Sequence, residues 1–169
     1  MASGVTIRTE SEADHPAVRD VHQRAFGQED EALLVERLRN SSAFVPELSL
    51  VATLDGGVVG HVILSRARLD ERSVLALGPI GVAPEQQRRG IGAALIRACI
   101  DRAATLGEDL VILLGHPEYY PRFGFVPASR LGITPPRPWR DEVFMALELR
   151  PGGAHGGGAF AYAPAFVLD

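Results

Sequence analysis

The sequence predicts an α/β (α+β) fold: a mixed, mostly antiparallel sheet with helices on both faces. Three observations carry this. Two strand-like segments flank Asp55-Gly56-Gly57, a short-hairpin signal, so an antiparallel pair is expected. Two segments with helical apolar spacing precede them. Two apolar runs, Val74–Leu77 and Leu110–Leu114, are separated by a helix-length segment, and such a crossover makes its two strands parallel neighbours.

With 169 residues the chain is one domain's worth, 1–169, able to bury its own core. Its net charge of −4 and lack of a basic tract give no footprint for nucleic acid. Met1–Val5 has no basic region leading into an apolar core, and no apolar run is long enough to cross a bilayer. The single cysteine, Cys99, forms no internal disulfide and reads as core packing, which fits a cytoplasmic location. No spacing of histidine, cysteine or acids suggests a metal site.

Val5–Thr9 is a short first strand. Ser11–Asp14 offers helix caps, and Pro16 is tolerated in a first turn. Val18, Val21 and Ala25 should face the sheet, and Gly27 should stop this helix. A second helix is expected over Gln28–Arg39, with Leu34 and Leu38 inward and Glu29, Asp30 and Glu31 in its first turn. His15 and His22 read as solvated. Glu47–Leu54 alternates, placing Leu48, Leu50, Ala52 and Leu54 on one face. Val58–Leu69 returns beside it, with His61 as a hydrogen-bonded structural histidine, and Asp70–Ser73 turns onward.

The chain is organised around 74–95. Val74–Leu77 and Ile80–Ala83 read as one buried strand interrupted by Gly78-Pro79. Proline cannot donate to a ladder, so a bulge is expected there, bending the strand away from its neighbour. The backbone groups of Ile80 and Val82 are then free to bond something else. Gln87-Arg88-Arg89-Gly90-Ile91-Gly92-Ala93 next opens an apolar helix. Helix N-termini carry unpaired N–H groups and attract phosphate. Gly90 and Gly92 permit close approach, and Arg88 and Arg89 add positive charge. The same glycines also suit an ordinary strand-to-helix turn. Two phosphate-binding patterns are excluded: the third Rossmann glycine position is Leu95, and a P-loop needs lysine, which this chain lacks entirely. The helix should run to about Leu106, burying Ile91, Leu95, Ala98, Cys99, Ala103 and Leu106. Arg97, Asp101 and Thr105 should face water, and Gly107 should end it.

The stretch Gln87-Arg88-Arg89-Gly90-Ile91-Gly92, following a strand and Pro84, resembles the acyl-CoA motif Gln/Arg-x-x-Gly-x-Gly/Ala of the GNAT superfamily of N-acetyltransferases. Tyr120 through Phe125 matches the Tyr-x-x-x-Gly-Phe that ends a short helix in that family. The longer string Gly115-His116-Pro117-Glu118-Tyr119-Tyr120-Pro121-Arg122-Phe123-Gly124-Phe125 looks like a group of small bacterial acetyltransferases of unassigned substrate.

The resemblance implies a GNAT fold, with the sheet splayed at its centre, two helices ahead of it and two packed on it. It implies acetyl-CoA as co-substrate, no metal, and acetyl transfer to an amine by direct attack in a ternary complex. Gln87, Arg88, Arg89, Gly90, Ile91, Gly92 and Ala93 would hold the pyrophosphate. Ile80 and Val82 would pair with the pantetheine arm, the Val82 N–H polarising the thioester carbonyl. Tyr120 matches the acid that protonates the departing sulfur; a phenol keeps its proton at neutral pH. Many GNAT enzymes carry a glutamate base on the bulged strand, but no acid lies between Ser73 and Pro84 here. His116 is the nearest titratable side chain to the expected centre, ahead of Glu29, Glu31 and Glu118. The acceptor is expected to be a small-molecule or peptide amine, walled by the loops before Glu47 and around Pro135–Trp139. A homodimer remains open. Two other classes also remain: a non-catalytic acyl-CoA-binding module, and an RNA-directed acyltransferase, which would want a basic surface.

From Val126 the chain is loop-rich. Glu142–Leu149 reads as a strand with Val143, Met145, Leu147 and Leu149 on one face. Residues 152–158 read as a flexible glycine-rich segment with a lone His155 that is not a ligand. Ala159–Phe166 is expected as a last edge strand, its Tyr162 and Phe166 resembling residues near the end of the same bacterial group.

Overall fold

A computed structural model describes residues 4–166. Its sheet begins at β1 (Thr6–Thr9), which runs antiparallel to β2 (Phe44–Leu54). β2 turns into β3 (Gly57–Leu69) through Asp55 and Gly56, at φ 51° and 79°. Two successive positive φ values make a turn whose twist matches that of the strands, and Asp-Gly tolerates it well. β3 pairs antiparallel with β4 (Arg72–Val82). β4 lies parallel to β5 (Leu110–Leu114), as the crossover requires, with Leu75 opposite Val111 and Ala76 opposite Ile112. The sheet continues through β8 (Phe144–Glu148) to β6 (Val126–Pro127), both added antiparallel. β7 (Ile133–Thr134) pairs with β9 (Gly158–Tyr162), and β9 lies antiparallel along the end of β3.

Three α-helices complete the described chain. α1 (His15–Phe26) carries Pro16 in its first turn and ends at Gly27, φ 68°. α2 (Asp30–Arg39) starts two residues later than expected. α3 (Ile91–Thr105) is the crossover helix, and Gly107 follows it at φ 84°. α1 and α2 cover one face of the sheet, burying Val18, Leu34 and Leu38 against Val51 and Ile63. α3 covers the other, burying Leu95, Cys99 and Ala103 against Leu48, Leu50, Val62 and Leu64. The alternation expected in β2 is therefore correct, but both faces are covered. Each fully buried leucine contributes about 1.5–3 kcal/mol.

Several expectations are corrected. The second helix expected to pack on the sheet is a single 3-10 turn, Tyr120–Phe123, ended by Gly124 at φ 96°. Leu106 is 44% exposed because the helix has ended before it, while Ile96 is fully buried because α3 contacts β2, β3 and β4 and buries a broad face. Glu142 and Val143 sit in a 3-10 turn, so the strand expected from Glu142 starts two residues later, at Phe144. His22 is completely buried rather than solvated, and His15 is half-buried. The glycine-rich segment is a run of turns tied to β4 by Arg72, whose Nη2 donates to the carbonyls of Ala154 (2.9 Å) and Gly157 (3.1 Å). After Tyr162 the expected edge strand gives way to a 3-10 turn, Pro164–Phe166.

The bulge expected at Gly78-Pro79 is present. Leu77 opposes Leu64 and Ile80 opposes Val62, so Gly78 and Pro79 together oppose Ile63 alone. The recorded β4–β5 pairs stop at Ala76, and beyond them the two strands diverge into a gap.

Candidate active site

The gap is lined first by backbone. The Ala83 N–H donates to the Val59 carbonyl on β3 at 2.8 Å. Backbone groups alternate sides along an antiparallel ladder. The amides of Ala83 and Gly81 therefore face β3, and those of Ile80 and Val82 face the gap. The Val82 carbonyl accepts a hydrogen bond from Gln87 Nε2 at 3.0 Å, tying the following turn to the strand.

That turn delivers the N-terminus of α3 to the same place. Gly90 is its N-cap at φ 82°, a conformation that favours glycine, and no side chain caps the helix. The N–H groups of Ile91, Gly92 and Ala93 therefore have no intrahelical partner. A Cβ on Gly92 would meet nothing closer than Tyr119 Oη at 3.7 Å and Val82 Cγ2 at 3.8 Å, so the helix end is open on the gap side. Arg88 and Arg89 are exposed, and Arg89 Nη1 reaches Gln86 Oε1 at 3.3 Å. Ile91 is fully buried, so its side chain is packing and only its backbone N–H is left for a ligand. An ion pair between Arg24 and Glu85 fastens the turn to α1.

Across the gap stands the segment after β5. Tyr119 and Tyr120 have different stations. The Tyr119 hydroxyl is the one near Gly92, with the Arg122 guanidinium 4.5 Å above its ring. Tyr120 is 8% exposed, edge-on to Phe125 at 5.8 Å between centroids. Its ring lies on Gly115, where a Cβ would come within 2.5 Å of Tyr120 Cε2. Burial, with smaller contributions from Tyr119 and Cys99, pushes its phenol up to about 12, so it is held as a proton donor. His116 is exposed, and its carbonyl accepts from the Tyr119 N–H at 3.2 Å.

Tyr120 and His116 line a cleft of about 440 Å³ with Leu77, Gly78, Pro79 and Ile80 of the bulge and Leu114 and Gly115 of β5. Its remaining walls are Phe26, Glu31, Leu34, Trp139, Tyr162 and Phe166. Trp139 and, as a candidate base, Glu31 are expected near the site from the sequence. Phe26 and Leu34 are not, because neither carries a motif and only folding brings them to β4. Glu29 and Glu118 are exposed and do not line this cleft.

Beneath the bulge runs a buried polar chain. Arg39 Nε and Nη2 each donate to the Glu10 carboxylate at 2.9 Å, and Ser49 Oγ donates to it at 2.7 Å. With its one proton committed, Ser49 Oγ accepts from His61 Nε2 at 2.9 Å. Neutral His61 then presents a bare Nδ1, which accepts from His22 Nε2 at 2.8 Å. His22 Nδ1 is buried without a hydrogen-bond partner, over Gly81, where a Cβ would lie 2.9 Å away. His61 is thus the hydrogen-bonded structural histidine expected, and His22 is its partner.

Among the described residues no three histidine, cysteine, aspartate or glutamate side chains are grouped to hold a metal ion, and no helix is long and apolar enough to cross a membrane. The sequence profile of the acetyltransferase (GNAT) family matches residues 15–125. The uncharacterized N-acetyltransferase YjhQ of Escherichia coli (strain K12) is 38% identical over 142 residues, 81% of this chain and 78% of that protein. The crystal structure of the Escherichia coli GNAT family N-acetyltransferase YhbS in complex with CoA superposes with a TM-score of 0.91 at 28% identity, covering 98% of this chain and 93% of that one. A GNAT family acetyltransferase from Brucella melitensis in complex with acetyl-CoA gives 0.80 at 31% identity, covering 96% and 98%. By profile, relatives and fold alike, this chain belongs to the acetyltransferase (GNAT) family.

Proposed function

We propose that the protein transfers an acetyl group from acetyl-CoA directly to an amine, both substrates being bound together. The observation that carries this is a convergence: Gly92 at the uncapped N-terminus of α3 stands near Tyr119 and Val82, and Ile80 of the same strand shares a cleft with Tyr120. The CoA and acetyl-CoA complexes of the two structural relatives support the choice of donor.

Acetyl-CoA supplies the acyl group as a thioester. The N–H groups of Ile91, Gly92 and Ala93, with Arg88 and Arg89, fit its pyrophosphate. The Ile80 and Val82 amides fit the pantetheine arm as an added strand. The Val82 N–H takes the thioester carbonyl; one such donor lowers a barrier by roughly 3–4 kcal/mol. The amine nitrogen bonds to the acetyl carbon as the carbon–sulfur bond breaks. The nitrogen releases one proton, which His116 accepts, and the sulfur takes one from Tyr120. The sum is an amide and a free thiol, with no net proton gained or lost.

Thermal unfolding with and without acetyl-CoA tests the donor. Ligand at about 100 times its dissociation constant adds about 2.7 kcal/mol, raising the Tm by roughly 5–10 °C in a domain of this size. No rise with either acetyl-CoA or CoA would overturn the reading. Thiol release that requires an amine then separates transfer from mere binding.

A further inference from the structure

We infer that the acceptor is a small primary amine carried on an aromatic body, an arylalkylamine, bound against the wall made by Trp139, Tyr162 and Phe166. This rests on the acetyl-transfer reading and specifies the other substrate of the same site.

The cleft that contains Tyr120 has two unlike ends. One end is the bulge of β4, which leads through Ile80 toward the Val82 amide. The other is apolar and aromatic. Tyr162 and Phe166 stack face to face, 4.1 Å between centroids and 4° between planes. Trp139 closes on the edge of Tyr162 at 6.2 Å and on Phe144 at 5.5 Å. These rings are fixed by one another and by β9, so the wall exists before any ligand arrives. Phe26 and Leu114 line the same cleft and are exposed by 41% and 44%. Large apolar side chains left open in one cleft are suited to an apolar guest.

The charge of the lining narrows the guest further. Glu31 is its only carboxylate, and Gln28 Nε2 holds it at 3.1 and 3.3 Å. One carboxylate suits one basic nitrogen, which gives up its ammonium proton to solvent before it attacks as the free amine. Polyamines and amino sugars would bring several charges or hydroxyls to walls that cannot pair them, and burying such groups unpaired is costly. A volume of about 440 Å³ suits a single ring with a short amine arm rather than a peptide.

The chain has one tryptophan, Trp139, which makes the wall its own reporter. The experiment titrates the CoA-loaded protein with 2-phenylethylamine, spermidine and glucosamine while following tryptophan emission. Each amine, and a short peptide with a free N-terminus, is then assayed for thiol release from acetyl-CoA. Saturable change in emission with phenylethylamine alone, and a kcat/KM for it at least about 100-fold above the others, is expected. Phe26→Ser should raise its KM about tenfold while acetyl-CoA still raises the Tm as before. Preferential turnover of spermidine, glucosamine or the peptide would overturn the inference. So would unmoved emission with phenylethylamine in protein whose Tm responds to acetyl-CoA. If the Tm does not respond to acetyl-CoA, the transfer reading falls, and the emission titration still decides the aromatic wall by itself.

Discussion

His22 on α1 and His61 on β3 meet in the core, His22 Nε2 donating to His61 Nδ1 at 2.8 Å with the rings nearly perpendicular. Both rings are fully buried, and both are held neutral. Burial is the first cause for each; the Arg39 charge lowers both, and His22 further lowers His61. His22 falls to about 4.

An acid-sensitive fold follows from that pair. A buried neutral histidine has a folded value below its unfolded one, so the unfolded chain binds protons first as the pH drops. The stability is whole above about pH 6.5 and is lost progressively toward pH 4. For His22 alone the loss amounts to roughly 3 kcal/mol. Denaturant melts at pH 7.5 and 5.0 should show it, and His22→Phe should lessen the dependence over that window to the share that His61 keeps. An equal dependence in the variant would place the effect elsewhere.

Gly92→Glu should separate binding from folding. A side chain has room at that position, and a glutamate in a first helical turn suits the helix, so the Tm without ligand should hold. Its carboxylate would stand where the pyrophosphate is read, and the acetyl-CoA shift should vanish. A retained shift would remove the helix N-terminus from the donor site.

Tyr120→Phe should lower kcat by about 100-fold or more, the usual worth of a positioned acid, and leave the acetyl-CoA dissociation constant unchanged. Gly115→Ala tests the same group through its position. The new Cβ falls 2.5 and 2.9 Å from Tyr120 Cε2 and Cδ2, so the ring must move. Overpacking of this kind costs about 1–3 kcal/mol of stability, and kcat should fall with it. Normal kcat in both variants would move the acid role to Tyr119, whose hydroxyl lies beside Gly92.

His116→Ala should remove the acid limb of the kcat/KM profile if His116 takes the amine's proton. An unchanged profile would leave the proton to Glu31, which Glu31→Gln then tests in the same assay.

Much of this was legible in the chain because its causes are local. Asp55-Gly56 makes a tight hairpin wherever it occurs between strands, and Gly78-Pro79 cannot continue a regular ladder. The open N-terminus of α3 follows from glycine at position 90. Short-range sterics and hydrogen bonding decide such features, and a few residues state them fully. The Tyr120 match was readable too, as a motif, although its seat on Gly115 was not.

The sequence by itself determined the hairpin, the parallel crossover, the bulge and the glycine turn that leaves the N-terminus of α3 uncapped. Tertiary structure alone decided the fate of His22 and the cleft beside Tyr120. His22 lies at helical spacing from Val18, on the same buried face, yet a polar side chain is tolerated there only with a partner. That partner, His61, is 39 residues away. The cleft likewise gathers Phe26 from α1, the bulge of β4, the end of β5, Trp139 from a loop and Phe166 from the described end of the chain. Apolar side chains carry no sign of whether they will be packed or left open. That depends on which surfaces the finished sheet leaves uncovered, and here it leaves the walls of one cleft.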